Sequence, residues 1–208
     1  ITEDGFLNVA TVYSLVTALY VVAALLLLRV RPRVPQQRVA LNLRNTFIAI
    51  GEGFRVTAGN KAIVGVLGIT VLMNVAFFSF KPMIPVFAEQ VLHIQPAAMG
   101  LLGGASGLGE TVGALFIATR RRIRRKSVYY YGGTLVSMAL LTFFSASTSF
   151  PISFVILVLA GAATSGFGAM QATLVLLSAR DEMRGRAMGI LSLAIGAEPI
   201  GGIMLGGL

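Results

Sequence analysis

The apolar positions of this chain come in long, nearly unbroken blocks rather than in the alternating runs of a half-buried strand. A helix that crosses a bilayer needs about 20 predominantly apolar residues, each adding about 1.5 Å. Five segments meet that length: Asn8–Leu28, Ala62–Ala88, Ala97–Thr119, Ser127–Ala146 and Ile152–Ser178. A sixth starts near Ala187 and is still running at Leu208. No strand-and-turn punctuation recurs at regular spacing, which argues against a β-barrel. The pattern predicts an all-α, polytopic transmembrane bundle.

The connections between these blocks alternate in charge. Arg29, Arg31, Arg33, Arg38, Arg44, Arg55 and Lys61 lie between the first and second blocks. Arg120, Arg121, Arg122, Arg124, Arg125 and Lys126 lie between the third and fourth, and Arg180, Arg184 and Arg186 between the fifth and sixth. The other two connections carry only Glu89 and His93, or Ser, Thr, Phe and Pro. Basic loops mark the cytoplasmic side, so the first helix is expected to run inward from acidic Glu3 and Asp4. The predicted organisation is an outer stub and helix over 1–28, a basic cytoplasmic linker over 29–61, and a helical bundle over 62–208. Within the linker, Leu41–Ala58 sets Leu41, Phe47, Ile48 and Phe54 against Asn42, Arg44, Asn45, Glu52 and Arg55. That fits an amphipathic helix lying in the interface, with a flexible linker as the alternative.

Composition agrees. Of 208 residues 56% are hydrophobic and only 12% charged, where soluble domains carry about 25% charged residues; mean hydropathy is +0.83. The net charge of +9 raises nucleic-acid binding as a rival reading of Arg120–Lys126. A basic run wedged between two spanning helices needs only lipid headgroups and the orientation rule. No Cys, one His and no clustered acids leave no ligand set for a metal, no cofactor motif and no nucleophilic constellation, so an enzyme is not expected. The chain begins at Ile1 without Met and ends inside an apolar block, so an internal fragment is expected.

Ionisable groups at membrane depth are functional candidates by default. Glu110 lies about nine residues, roughly 13 Å, from the basic end of its helix, near the midplane. Gly103, Ser106 and Gly113 share its face, and small residues mark helix contact. Glu110 is a candidate proton carrier, or else a protonated structural group bonded to a neighbour. Glu198 precedes Pro199, which can open the helix locally, as discontinuous helices do at ligand sites. Asn74, Phe77, Phe78, Lys81 and Pro85 form one stripe of the second helix, which Pro82 and Pro85 are expected to kink. Lys81 either snorkels to the outer surface or faces inward, toward Glu198 or an anionic ligand. Asn74, Phe78 and Gln171 are further cavity candidates, Asn74 and Gln171 with interhelical hydrogen bonding as the alternative.

Three stretches carry a family resemblance. Phe80-Lys81-Pro82-Met83-Ile84-Pro85-Val86-Phe87-Ala88 resembles the outer end of the seventh helix in the major facilitator superfamily. More narrowly, it is similar to the drug- and siderophore-exporter branch that includes the enterobactin exporter. Gly100 to Lys126 resembles that branch's Gly-rich eighth helix and basic loop. Arg184-Gly185-Arg186-Ala187-Met188-Gly189 and Pro199-Ile200-Gly201-Gly202 resemble the entry to the eleventh helix and the Pro/Gly stretch within it. The order matches helices six to eleven of twelve, mostly the C-terminal half. The resemblance implies a secondary active transporter in the cell membrane that exports small, partly apolar molecules by proton antiport and alternating access. The missing first half and last helix would belong to the full-length chain. On this reading Glu110 is the proton-coupling candidate, while Asn74, Phe78, Lys81, Gln171 and Glu198 are substrate-cavity candidates. Arg120, Arg121, Arg122, Arg184 and Arg186 would flank the cytoplasmic gate or set orientation, and Pro82, Pro85 and Pro199 would be hinges. Two departures stand out: the Thr119-Arg120-Arg121-Arg122 loop lacks the Asp usual in this motif, and Glu110 replaces a residue that is usually small and apolar. A membrane scaffold or receptor on the same fold is the alternative function.

Overall fold

A computed structural model describes residues 3–29, 51–55, 57–120 and 125–206. They are helical almost throughout and divide into two units, residues 1–41 and 42–208. The first holds α1 (Glu3–Leu28), on which Leu15, Leu19, Tyr20, Leu25 and Leu28 are all exposed. A helix apolar all round suits lipid, where its own backbone bonds satisfy every peptide group.

In the second unit α2 (Lys61–Leu72) passes into a wider π turn over Met73–Phe77 and a tighter 3-10 stretch over Phe78–Met83, then resumes as α3 (Ile84–Gln90). Two prolines cause this. Pro82 and Pro85 lack the N–H that would bond the carbonyls of Phe78 and Lys81, and their rings crowd those carbonyls. The backbone reroutes: the Phe78 N–H bonds back five residues to Met73, and the Ile84 N–H three residues to Lys81. The remaining helices are α4 (Pro96–Thr119), α5 (Lys126–Ser145), α6 (Phe150–Ser178), α7 (Arg184–Ile195) and α8 (Glu198–Gly206).

Among the described residues four helical stretches are long and apolar enough to cross a bilayer: Lys61–Gln90, Pro96–Thr119, Phe150–Ser178 and Asp181–Met204. A shorter apolar run, Tyr13–Leu28, belongs to α1. Helix α5 has 20 residues, a crossing length, but Tyr129, Tyr130, Tyr131 and several Gly, Ser and Thr make it less apolar.

Helix α6 is the spine, packed along α4 on one side and α5 on the other. Glycines set the approach. A side chain at Gly109 would run into the Val158 carbonyl, and one at Gly161 into the Ser106 carbonyl. Gly113 lies against Ala162 and Ser165, whereas Gly103 faces open space. The contact face of α4 is therefore Ser106, Gly109 and Gly113, turned slightly from the face the spacing suggests. One core cluster gathers Met73, Phe77, Tyr130, Phe167 and Leu191; another gathers Ile84, Leu102, Phe144 and Leu157. Tyr130 is fully buried, and its hydroxyl donates to the Val66 carbonyl at 2.8 Å beside the Thr70 hydroxyl at 3.0 Å.

Candidate functional site

The irregular stretch of the second span positions the central polar group. Lys81 lies in the 3-10 segment, and its Nζ is 2.8 Å from Glu110 Oε1 on α4. Each side chain is 37% exposed. Counted along the helices, Lys81 is roughly 13 Å from the Gln90 end and Glu110 roughly 21 Å from the Pro96 end. Their long side chains close that difference in depth. Lys81 therefore neither snorkels outward nor pairs with Glu198: its partner is Glu110. A carboxylate and an ammonium at this depth relieve each other of an otherwise costly lone charge. The ammonium also lies over the Phe78 ring, 5.1 Å from its centre, an attractive cation–π geometry. Phe78 is held by Phe77 at 5.5 Å and Phe167 at 6.0 Å between ring centres.

The other cavity candidates are differently placed. Asn74 is buried, and its amide donates to the Thr70 carbonyl one turn back, at 2.8 Å. Gln171 stands one turn beyond Phe167 on α6, and its Oε1 is buried without a hydrogen-bond partner. An orphaned acceptor of this kind costs about 1–3 kcal/mol, which a donor group on a ligand would recover. Glu198 is exposed at the start of α8 and makes no ion pair among the described residues. Its backbone carbonyl, however, lies 2.8 Å from the Ser79 hydroxyl, which is also 3.0 Å from the Asn74 carbonyl. One proton thus serves two acceptors at the crossing of two broken helices.

That crossing is close. Helix α7 ends at Ile195 and α8 begins at Glu198, with Pro199 in its first turn. A side chain at Gly201 would run into the Val75 carbonyl and the Ser79 hydroxyl. The irregular stretch of the second span and the interrupted helix therefore fit together through Val75, Ser79 and Gly201. Ser79 escaped the sequence reading because a lone Ser among Phe77, Phe78 and Phe80 carries no pattern. Pro82 lies within the 3-10 stretch and Pro85 in the first turn of α3.

At the basic end, Arg184 pairs with Asp181 at 3.0 Å and donates to the Leu176 carbonyl at 3.2 Å. Arg186 pairs with Glu52 at 2.9 Å. The helical residues 51–55 rest on α7 here, because the missing side chain of Gly53 admits Ile190. Arg120 stacks over the Phe116 ring at 4.7 Å. Arg121 and Arg122 lie outside the described residues, as does the first half of the expected amphipathic helix.

The family model described as Major Facilitator Superfamily matches residues 66–208. No curated protein and no solved structure matches the chain.

Proposed function

The chain belongs to the Major Facilitator Superfamily of membrane transporters, and from that premise we propose that it is the greater part of the second bundle of a proton-coupled exporter of small, partly apolar molecules. Its place is with the drug- and siderophore-exporter branch, in the cell membrane, with the basic connections cytoplasmic. A first bundle and a last helix complete it, and the two bundles rock around a shared cavity.

The Lys81–Glu110 pair carries this reading. Antiport requires that proton and substrate exclude each other, each biasing a different conformation. Glu110 meets that need with one carboxylate. When it is ionised it accepts Lys81, or a cationic or donor group of the substrate in its place. A proton on Glu110 removes the charge that holds either. Lys81 is the built-in stand-in for substrate, keeping the site electrically balanced when empty. Phe78 supplies an aromatic wall, and Gln171 Oε1 an acceptor still in need of a donor. Ser79 and Gly201, with the interrupted backbone at Pro82 and Pro199, form the joint about which the site opens. Arg184 and Arg186, tied to Asp181 and Glu52, form the cytoplasmic latch.

The test is efflux of lipophilic cationic dyes from proteoliposomes holding the full-length protein under an imposed pH gradient. Glu110→Gln should abolish gradient-driven efflux at unchanged protein level. Efflux equal to wild type would remove Glu110 from the coupling.

A further inference from the structure

A cleft of about 540 Å³ opens between α4 and α5, apart from the Lys81–Glu110 site. Its floor is Ala162, Ala163 and Gly166 of α6, and its walls include Phe116, Val128 and Val136. Phe116, Val128 and Val136 are each more than half exposed. The cleft exists because α5 is pulled onto α6 at two points where side chains are missing. A Cβ at Gly133 would lie 2.5 Å from the Ala163 carbonyl, and one at Gly166 2.8 Å from the Tyr129 carbonyl. Gly132, also in the lining, meets nothing within 4 Å, so the wall is open where its side chain would stand.

Cations rim one end of this cleft. Arg120 follows the last turn of α4, and its guanidinium stacks 4.7 Å from the centre of the Phe116 ring that forms the wall. Arg125 and Lys126 stand at the start of α5, within about one turn of Val128. Among the described residues none of the three pairs with a carboxylate. Along α5 the wall runs from Val128 to Val136, roughly 12 Å. An apolar slot that deep does nothing for a soluble anion, and uncompensated cations do nothing for a neutral lipid. Both features are met by one molecule, an anionic amphiphile whose charge sits at the membrane surface.

We propose that the α4–α5 cleft is a binding site for an anionic glycerophospholipid, with an acyl chain in the slot and the phosphate held by Arg120, Arg125 and Lys126. Basic pockets between spanning helices suit such headgroups, and each cation near the surface is worth roughly fivefold in binding. Phe116 links the two halves of the site, since it packs on the chain and orients the guanidinium. None of the residues lining the cleft belongs to the Lys81–Glu110 site, so the proposal does not depend on that assignment.

The test is native mass spectrometry of the full-length protein in detergent with equimolar dioleoylphosphatidylglycerol and dioleoylphosphatidylcholine. The wild type should retain the anionic lipid on the order of a hundredfold over the neutral one. Replacing all three cations (Arg120→Gln, Arg125→Gln, Lys126→Gln) should bring the two lipids to parity. Gly132→Leu should lower retention of both lipids with the cations still in place, and Gly132→Ala should fall between; thermal unfolding in the same detergent verifies that both fold. Millimolar glycerol 3-phosphate should not displace the lipid. Equal retention of the two lipids by the wild type, unchanged selectivity in the triple variant, wild-type retention in folded Gly132→Leu, or displacement by glycerol 3-phosphate would each overturn the proposal.

Discussion

The ammonium of Lys81 lies 2.8 Å from the carboxylate of Glu110, joining the 3-10 stretch of one span to the middle of the next. The pair is local in space but remote in sequence, and Lys81 is presented from the 3-10 stretch that also holds Pro82. Neutralising either residue alone leaves a lone charge at membrane depth. Lys81→Met and Glu110→Gln should each cost about 1–3 kcal/mol, and the double variant less than their sum. Thermal unfolding in detergent measures this coupling; strict additivity would mean that the two groups do not interact.

The joint between the two broken helices depends on one missing methyl group. Gly201→Ala should cost about 2 kcal/mol or more, because its Cβ is driven into the Val75 carbonyl. Gly202→Ala meets nothing within 4 Å and should stay within about 0.5 kcal/mol of wild type. Unfolding of the two variants side by side checks the packing directly.

Tyr130→Phe isolates a buried hydroxyl. The Val66 carbonyl keeps the Thr70 hydroxyl at 2.9 Å after the change, so no acceptor is orphaned and the cost should be only about 1 kcal/mol. Tyr130→Ala should cost about 3–5 kcal/mol, as for other large buried aromatics, since its ring also stacks on Phe167 at 5.3 Å. A large loss from Phe would mean that the hydroxyl holds more than this triad.

The Arg186–Glu52 pair at the basic end is half exposed, with side chains 45% and 50% accessible. Glu52→Gln should therefore change stability by less than about 1 kcal/mol, while shifting the balance between inward- and outward-open states of the full transporter. The exchanged pair, Glu52→Arg with Arg186→Glu, should restore that balance. Accessibility of engineered cysteines at the two ends reads it out.

The fold class was legible because lipid imposes a length on every crossing, and charge cannot hide in such blocks. Ala97–Thr119 and Ile152–Ser178 show this most plainly, where Gly, Ala and Leu follow one another without a polar stripe. The site was legible only in part. Glu110 announces itself as a carboxylate in an apolar run, but its partner does not. Ideal helical rise places Lys81 and Glu110 at different depths, and a pattern of residue types does not encode the reach of two flexible side chains. Glu198 drew notice as a charge, yet its described contact is through the backbone carbonyl to Ser79, a contact that depends on the helix break and not on residue type. The partner of Arg186 was hidden too, because Glu52 belongs to a linker whose docking rests on Gly53 making room for Ile190.

The central claim, that a proton and a substrate group contend for Glu110, is tested most directly by counting protons. A lipophilic cationic dye added to weakly buffered, detergent-solubilised full-length protein should release protons as it binds, at most one per dye, at some pH within a titration series. The Glu110→Gln variant should bind dye without releasing any. Proton release of the same size from that variant would place the coupling group elsewhere and contradict the account.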